Sequence, residues 1–163
     1  MGKTYILKEF GSHYYEKMAY VNCDKNKTLD KIFSQDYNIS RILLSLSAIL
    51  HVNIEPENTL IIFDEIQENP TVLNSLKYFC EDASQYHVAV AGSLLGISLH
   101  RDTSFPVGKV DMIKMYPMTF DEFLMAIDEQ PLVDVLASKD FSIIDSLSVR
   151  LIDRLRQYYY VGG

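Results

Sequence analysis

An α/β domain built on a mostly parallel sheet is predicted by three observations. Apolar runs of strand length alternate with segments of helical period. The run Thr-Leu-Ile-Ile-Phe at 59–63 is continuously apolar rather than alternating, as in a parallel strand covered on both faces. Two such runs also end abruptly in polar residues, Asp64-Glu65 and Gly92-Ser93. Ligands bind beyond the carboxyl ends of the strands in open parallel sheets.

The elements follow in order. Residues 2–10 read as a helix with Ile6, Leu7 and Phe10 on its apolar stripe and Gly11 ending it. A short strand is predicted over 18–22, and the polar segment 25–31 reads as a loop. Asn38-Ile-Ser40 caps a helix over 41–50 that buries Ile42, Leu43, Leu46, Ile49 and Leu50. Pro56-Glu-Asn58 makes a turn before the strand at 59–63. Asn69 caps the next helix, with Pro70 in its first position, and the helix runs to about residue 82. Residues 88–91 form another buried strand, and 109–116 an edge or one-faced strand. Thr119 and Glu122 have the spacing of a capping box, opening a helix to about residue 127. One further helix is predicted over 140–160.

Composition narrows the function. A chain of 163 residues suits one compact domain, and a 48% apolar fraction can furnish its core. The net charge of -7 weighs against a dominant nucleic-acid surface. Cys23 and Cys80 form no C-x-x-C pattern and no disulfide framework, so both are expected reduced and inert, in a cytoplasmic protein. Met1 is followed at once by Gly-Lys-Thr, with no secretory leader. No apolar run approaches the roughly 20 residues that cross a bilayer, so no membrane partner is expected.

The chemistry concentrates at the strand exits. Asp64 can hold Mg²⁺ directly or through water, and the adjacent Glu65 can orient or deprotonate an attacking water. This is the Walker B pattern; the structural alternative is a strand exit with a helix-capping Asp. Gly2-Lys3-Thr4 matches the last three defined residues of the phosphate-binding loop G-x-x-x-x-G-K-[ST]. Three residues are a weak signal alone. They gain weight by opening an apolar-striped helix, whose N-terminus would face phosphate oxygens, 61 residues before Asp64. Gly92-Ser93 offers a polar side chain that could sense the γ-phosphate or the attacking water, or else it caps the following helix.

With these motifs in view, the chain resembles a large group of prokaryotic AAA-type ATP-binding proteins, in which this domain precedes a C-terminal domain of uncharacterised function. The likeness is carried by Gly-Lys-Thr-Tyr-Ile-Leu-Lys-Glu-Phe (2–10), Leu-Ile-Ile-Phe-Asp-Glu-Ile-Gln (60–67), Leu-Lys-Tyr-Phe-Cys-Glu-Asp (76–82), Ala-Gly-Ser-Leu-Leu-Gly (91–96), Phe-Pro-Val-Gly-Lys-Val (105–110), Tyr-Pro-Met-Thr-Phe-Asp-Glu-Phe (116–123) and the terminal Val-Gly-Gly. It implies a P-loop NTPase-like, three-layer α/β/α fold with ATP and Mg²⁺ as cofactors. Gly2 would give backbone N–H groups to phosphate oxygens, and Lys3 would neutralise the β- and γ-phosphates. Thr4 would ligate Mg²⁺ with Asp64 behind it, Glu65 would polarise water, and Ser93 would act as sensor. Arg101 lies where some AAA proteins place a charge acting across a subunit boundary. Proteins of this class often work as rings, which makes a second copy a candidate partner beside nucleotide.

The chain also departs from the pattern. It lacks the strand that precedes the P-loop and the first half of the loop. A single incomplete ATPase core over 1–163 is therefore expected, without the C-terminal lid and following domain. On this reading the chain binds nucleotide weakly, and the segment 109–116 is a candidate to fill the vacant place in the sheet. Two functions stay open: an ATPase module that drives an attached domain, and a non-hydrolysing regulatory module with a degenerate site. A module acting on DNA is disfavoured by the acidic balance.

Overall fold

A computed structural model of the chain describes residues 2–93 and 108–161. They form two compact units divided between Ile113 and Lys114.

The first unit holds helices α1 (Lys3–Tyr14), α2 (Lys27–Phe33), α3 (Ile39–Leu50) and α4 (Pro70–Asp82). Its strands are β1 (Lys17–Asn22), β2 (Thr59–Asp64) and β3 (His87–Val90), and a 3-10 turn spans Ile66–Glu68. The three strands pair in the order β1-β2-β3, all parallel. The mixed α/β fold with an all-parallel sheet agrees with the class read from the sequence. All six residues of β2 are buried, as its unbroken apolar run requires.

Strand alternation assigns the two faces. Ala19, Val21, Ile61 and Phe63 share one face. They pack against Leu29 and Phe33 of α2, Ile42, Leu43 and Leu46 of α3, and Val72, Leu73, Leu76 and Phe79 of α4. The opposite face carries Met18, Tyr20, Leu60, Ile62 and Asp64, with Met18 registered on Leu60 and Tyr20 on Ile62. Helix α1 covers this second face. A Cβ on Gly11 would meet Met18 Sδ at 2.3 Å and Leu60 Cδ2 at 3.3 Å, so glycine is what lets the helix lie close. Gly11 is therefore a buried packing position inside α1, and the helix continues to Tyr14 rather than ending there.

Other boundaries differ from expectation for identifiable reasons. The polar segment at 25–31 carries α2, because Asn26 caps it through Leu29 N–H and Leu29 and Phe33 supply a buried face. Residues 109–116 form no strand. Val110 packs on the core and Lys109 Nζ pairs with Glu81 Oε1 at 3.2 Å, while Met112 and Ile113 are exposed. That segment does not extend the sheet. The caps at Asn38 and Asn69 are as predicted. The Asn69 side chain accepts from Val72 N–H and donates to Asp30 Oδ1 at 2.6 Å, joining α4 to α2.

The second unit is helical: α5 (Phe120–Ala126), α6 (Gln130–Ser138), α7 (Phe141–Ser146) and α8 (Ser148–Val161). Thr119 and Glu122 form the predicted capping box, with both reciprocal bonds present. The single helix expected over 140–160 is two, broken at Leu147, and α6 is a further helix with no counterpart among the expected elements. Phe123, Leu124, Leu132 and Leu151 form the core. Beside it lies Glu129, 7% exposed, which receives Arg150 at one oxygen and Arg154 at the other, each at 2.7 Å. These hydrogen bonds, Arg154's foremost, hold the Glu129 carboxyl below its usual range.

Candidate functional site

The face assignment explains how two distant motifs meet. Asp64 is the last residue of β2 and belongs to the face that α1 covers, so it lies under the first turn of that helix. Thr4 Oγ1 donates to Asp64 Oδ2 at 2.7 Å across 60 residues of sequence. The carboxylate is 4% exposed and fully engaged: Oδ2 also accepts from Tyr20 OH at 2.8 Å, and Oδ1 from Glu65 N–H at 3.0 Å.

Tyr20 was not singled out from the sequence. Its hydroxyl reaches Asp64 from β1, and its ring lies beneath Lys8, whose Nζ is 3.8 Å from the centroid. Burial first, then the hydrogen bond to Asp64, pushes its pKa up to about 12, so the phenol remains a donor through neutral pH. Cys23 follows β1 and is buried. Its main-chain N–H donates to Asp64 O at 2.8 Å, and burial pushes its thiol up to about 12, which leaves it unreactive. Cys80 is a free, exposed thiol.

The N-terminus of α1 forms the wall opposite Asp64. Gly2 is its cap residue at φ 102°, a left-handed conformation natural to glycine. No side chain caps this end and no acidic residue occupies its first turn, which leaves an electropositive helix terminus. Lys3 is half-buried in that turn.

Beyond the sheet edge, Glu65 is exposed and adopts φ 52°, ψ 42°. Left-handed backbone at a non-glycine residue costs of order 1 kcal/mol, and this chain adopts it at Lys25, His51, Glu57, Asp128 and Lys139 as well. Main-chain bonds brace this turn: Ala91 N–H donates to Phe63 O and Ile66 N–H to Ala91 O. Gln67, the second residue not singled out from sequence, then joins the two strand exits. Its Nε2 donates to Glu65 Oε2 at 2.6 Å, and its Oε1 accepts from Ser93 N–H at 3.1 Å. The structure thus brings Thr4 to Asp64 directly, and Glu65 to Ser93 through Gln67. Arg101 lies outside the described residues.

Among the described residues, no cluster of three or more His, Cys, Asp or Glu is arranged to hold a metal ion. A hydroxyl and a carboxylate in contact at a helix N-terminus fit Mg²⁺ instead, since that ion keeps several waters and takes its remaining ligands from phosphates. A groove on α7 and α8, lined by Ser146, Leu147, Arg150 and Arg154, carries no comparable chemistry, because Glu129 engages both arginines.

A family model described as an AAA domain matches residues 1–124. The chain belongs to this AAA-domain family. The match covers the whole first unit and reaches Leu124 in the second. Neither a curated protein nor a solved structure matches the chain. Membership makes the chain a nucleotide-binding, ATPase-like module that carries the Gly-Lys-Thr end of a P-loop, as the resemblance implied. No helix among the described residues is long and apolar enough to cross a membrane.

Proposed function

We propose that this AAA-family chain binds Mg²⁺·ATP where α1 meets the carboxyl ends of β2 and β3, and hydrolyses it to drive an attached domain. The observation that carries this reading is the Thr4–Asp64 contact at 2.7 Å, which joins the Gly-Lys-Thr and Asp-Glu motifs in one corner. When bound, Mg²⁺ would supply positive charge that offsets the negative charge developing on the phosphates. The amides after Gly2 and the Lys3 ammonium bind the β- and γ-phosphates. Thr4 and Asp64 would hold the cation, with the Asp64 carboxylate fixed by the Tyr20 hydroxyl and Glu65 N–H. Glu65 orients the attacking water and takes its proton, and Ser93 reads the γ-phosphate. The module is proposed to work in the cytoplasm, where its two free thiols stay reduced.

A non-hydrolysing regulatory module is the second reading. The hydrogen bond from Gln67 to the Glu65 carboxylate favours it, because it occupies an oxygen that the water would need. Phosphate release separates the two. Hydrolysis predicts a Mg²⁺-dependent rate that Glu65→Gln lowers about 100-fold or more with nucleotide binding retained. A rate that Glu65→Gln leaves unchanged contradicts the assignment of Glu65, and binding without turnover selects the regulatory module.

A further inference from the structure

Gln67 is 7% exposed, and both ends of its amide are used. A primary amide has one donor end and one acceptor end. Only the orientation present serves both neighbours: flipped, it would set oxygen against the Glu65 carboxylate and N–H groups against Ser93 N–H. The amide is also hemmed in. A Cβ on Gly92 would meet Gln67 Oε1 at 2.7 Å and Ile66 Cγ2 at 3.2 Å, so the absence of a side chain at Gly92 is what admits it. The preceding residue is tied to β3 by the bond from Ile66 N–H to Ala91 O at 3.1 Å.

We propose that Gln67 is a positioning residue that couples the exit of β3 to the Glu65 carboxylate. The proposal rests on the reading of Glu65 as the water-orienting base. The amide is short and planar, so it transmits displacement with little slack. A shift of the Ser93 main chain toward a phosphate draws on Oε1, and the same rigid group moves Nε2 against Glu65. Site occupancy sensed at β3 thereby sets where the base carboxylate points. Coupling of this kind is a free energy between two groups, measurable by a double-mutant cycle without nucleotide.

The test follows the Ser93 backbone amide by ¹⁵N NMR in the full chain, nucleotide-free. Glu65→Ala removes the nearer partner of Nε2, at 2.6 Å against 3.5 Å to Glu68 Oε1, and is expected to move the Ser93 resonance. In a Gln67→Leu background the same Glu65→Ala change is expected to leave it in place. Gly92→Ala crowds Oε1 while keeping the amide, and serves as the second background should Gln67→Leu fold poorly; there the response to Glu65→Ala is expected to be altered. A Ser93 resonance indifferent to Glu65→Ala, or moved equally in every background, overturns the proposal. In turnover, Gln67→Leu is expected to lower kcat about tenfold with KM within about twofold, since it misplaces the base and leaves binding intact. Loss in KM alone contradicts the proposal. Absence of turnover in the wild-type chain would instead count against the hydrolytic reading, while the Ser93 cycle still decides the coupling.

Discussion

β2 and β3 lie side by side in one sheet and are built from similar apolar residues, yet they end up in different environments. β2 pairs with β1 on one side and β3 on the other, and all six of its residues are buried. Among the described residues β3 pairs with β2 alone; His87 is exposed and Val88, Ala89 and Val90 are half-buried. An apolar run therefore acquires its burial from its neighbours, not from its composition. The site is divided in the same way. Its carboxylate corner rests on the fully enclosed strand, and Ser93 extends from the strand with one partner. The enclosed exit carries the bonds from Thr4 and Tyr20, and the singly paired exit is tied to it through Ala91 and Gln67.

Substituting registered partners gives the largest expected contrast. Phe63 is fully buried, with its ring 5.9 Å from Phe33 and 6.2 Å from Phe79, and it is in register with Val90. Phe63→Ala should cost about 3–5 kcal/mol in urea unfolding, whereas Val90→Ala, which exposes half-buried surface, should cost about 1 kcal/mol. Equal losses would erase the distinction between the strands.

A smaller effect sharpens it from the β1 side. Tyr20→Phe deletes the hydroxyl that donates to Asp64 and should cost about 1–2 kcal/mol at pH 7. The sign with pH is definite. The folded-state pKa of Tyr20 is raised to about 12, so its contribution is complete below the ordinary tyrosine value and is lost as pH rises through about 12. The stability gap between wild type and Tyr20→Phe should close over that alkaline window. A gap that persists would show that the hydrogen bond contributes nothing specific.

How much was legible beforehand follows from the range of the interactions. The β2 run, the Asn38 and Asn69 caps and the Thr119–Glu122 capping box are local patterns, and each was readable. Helix α2 reads as a loop because its exposed residues are polar, although Asn26 is a usable cap signal. Gly11 reads locally as a helix stop, whereas its actual constraint is Met18 on a neighbouring strand. The segment 109–116 has the composition of a strand, yet it pairs with no strand among the described residues. In the site, Asp64, Glu65, Thr4 and Ser93 were visible as motif residues at strand and helix ends. Tyr20 and Gln67 were not. Tyr20 reaches Asp64 across 44 residues and Gln67 reaches Ser93 across 26, so their roles exist only once the strands are in register.

The central claim is that the Thr4–Asp64 corner and the two strand exits form one Mg²⁺-nucleotide site. Its most direct test is titration of the ¹⁵N-labelled chain with ATP, with and without Mg²⁺, since NMR reads weak binding as well as tight. The account predicts Mg²⁺-dependent shifts of the Lys3, Thr4, Asp64 and Ser93 amides along one binding curve, weakened about tenfold or more in Asp64→Asn. Shifts confined to other residues, or a curve that Asp64→Asn leaves unchanged, would contradict it.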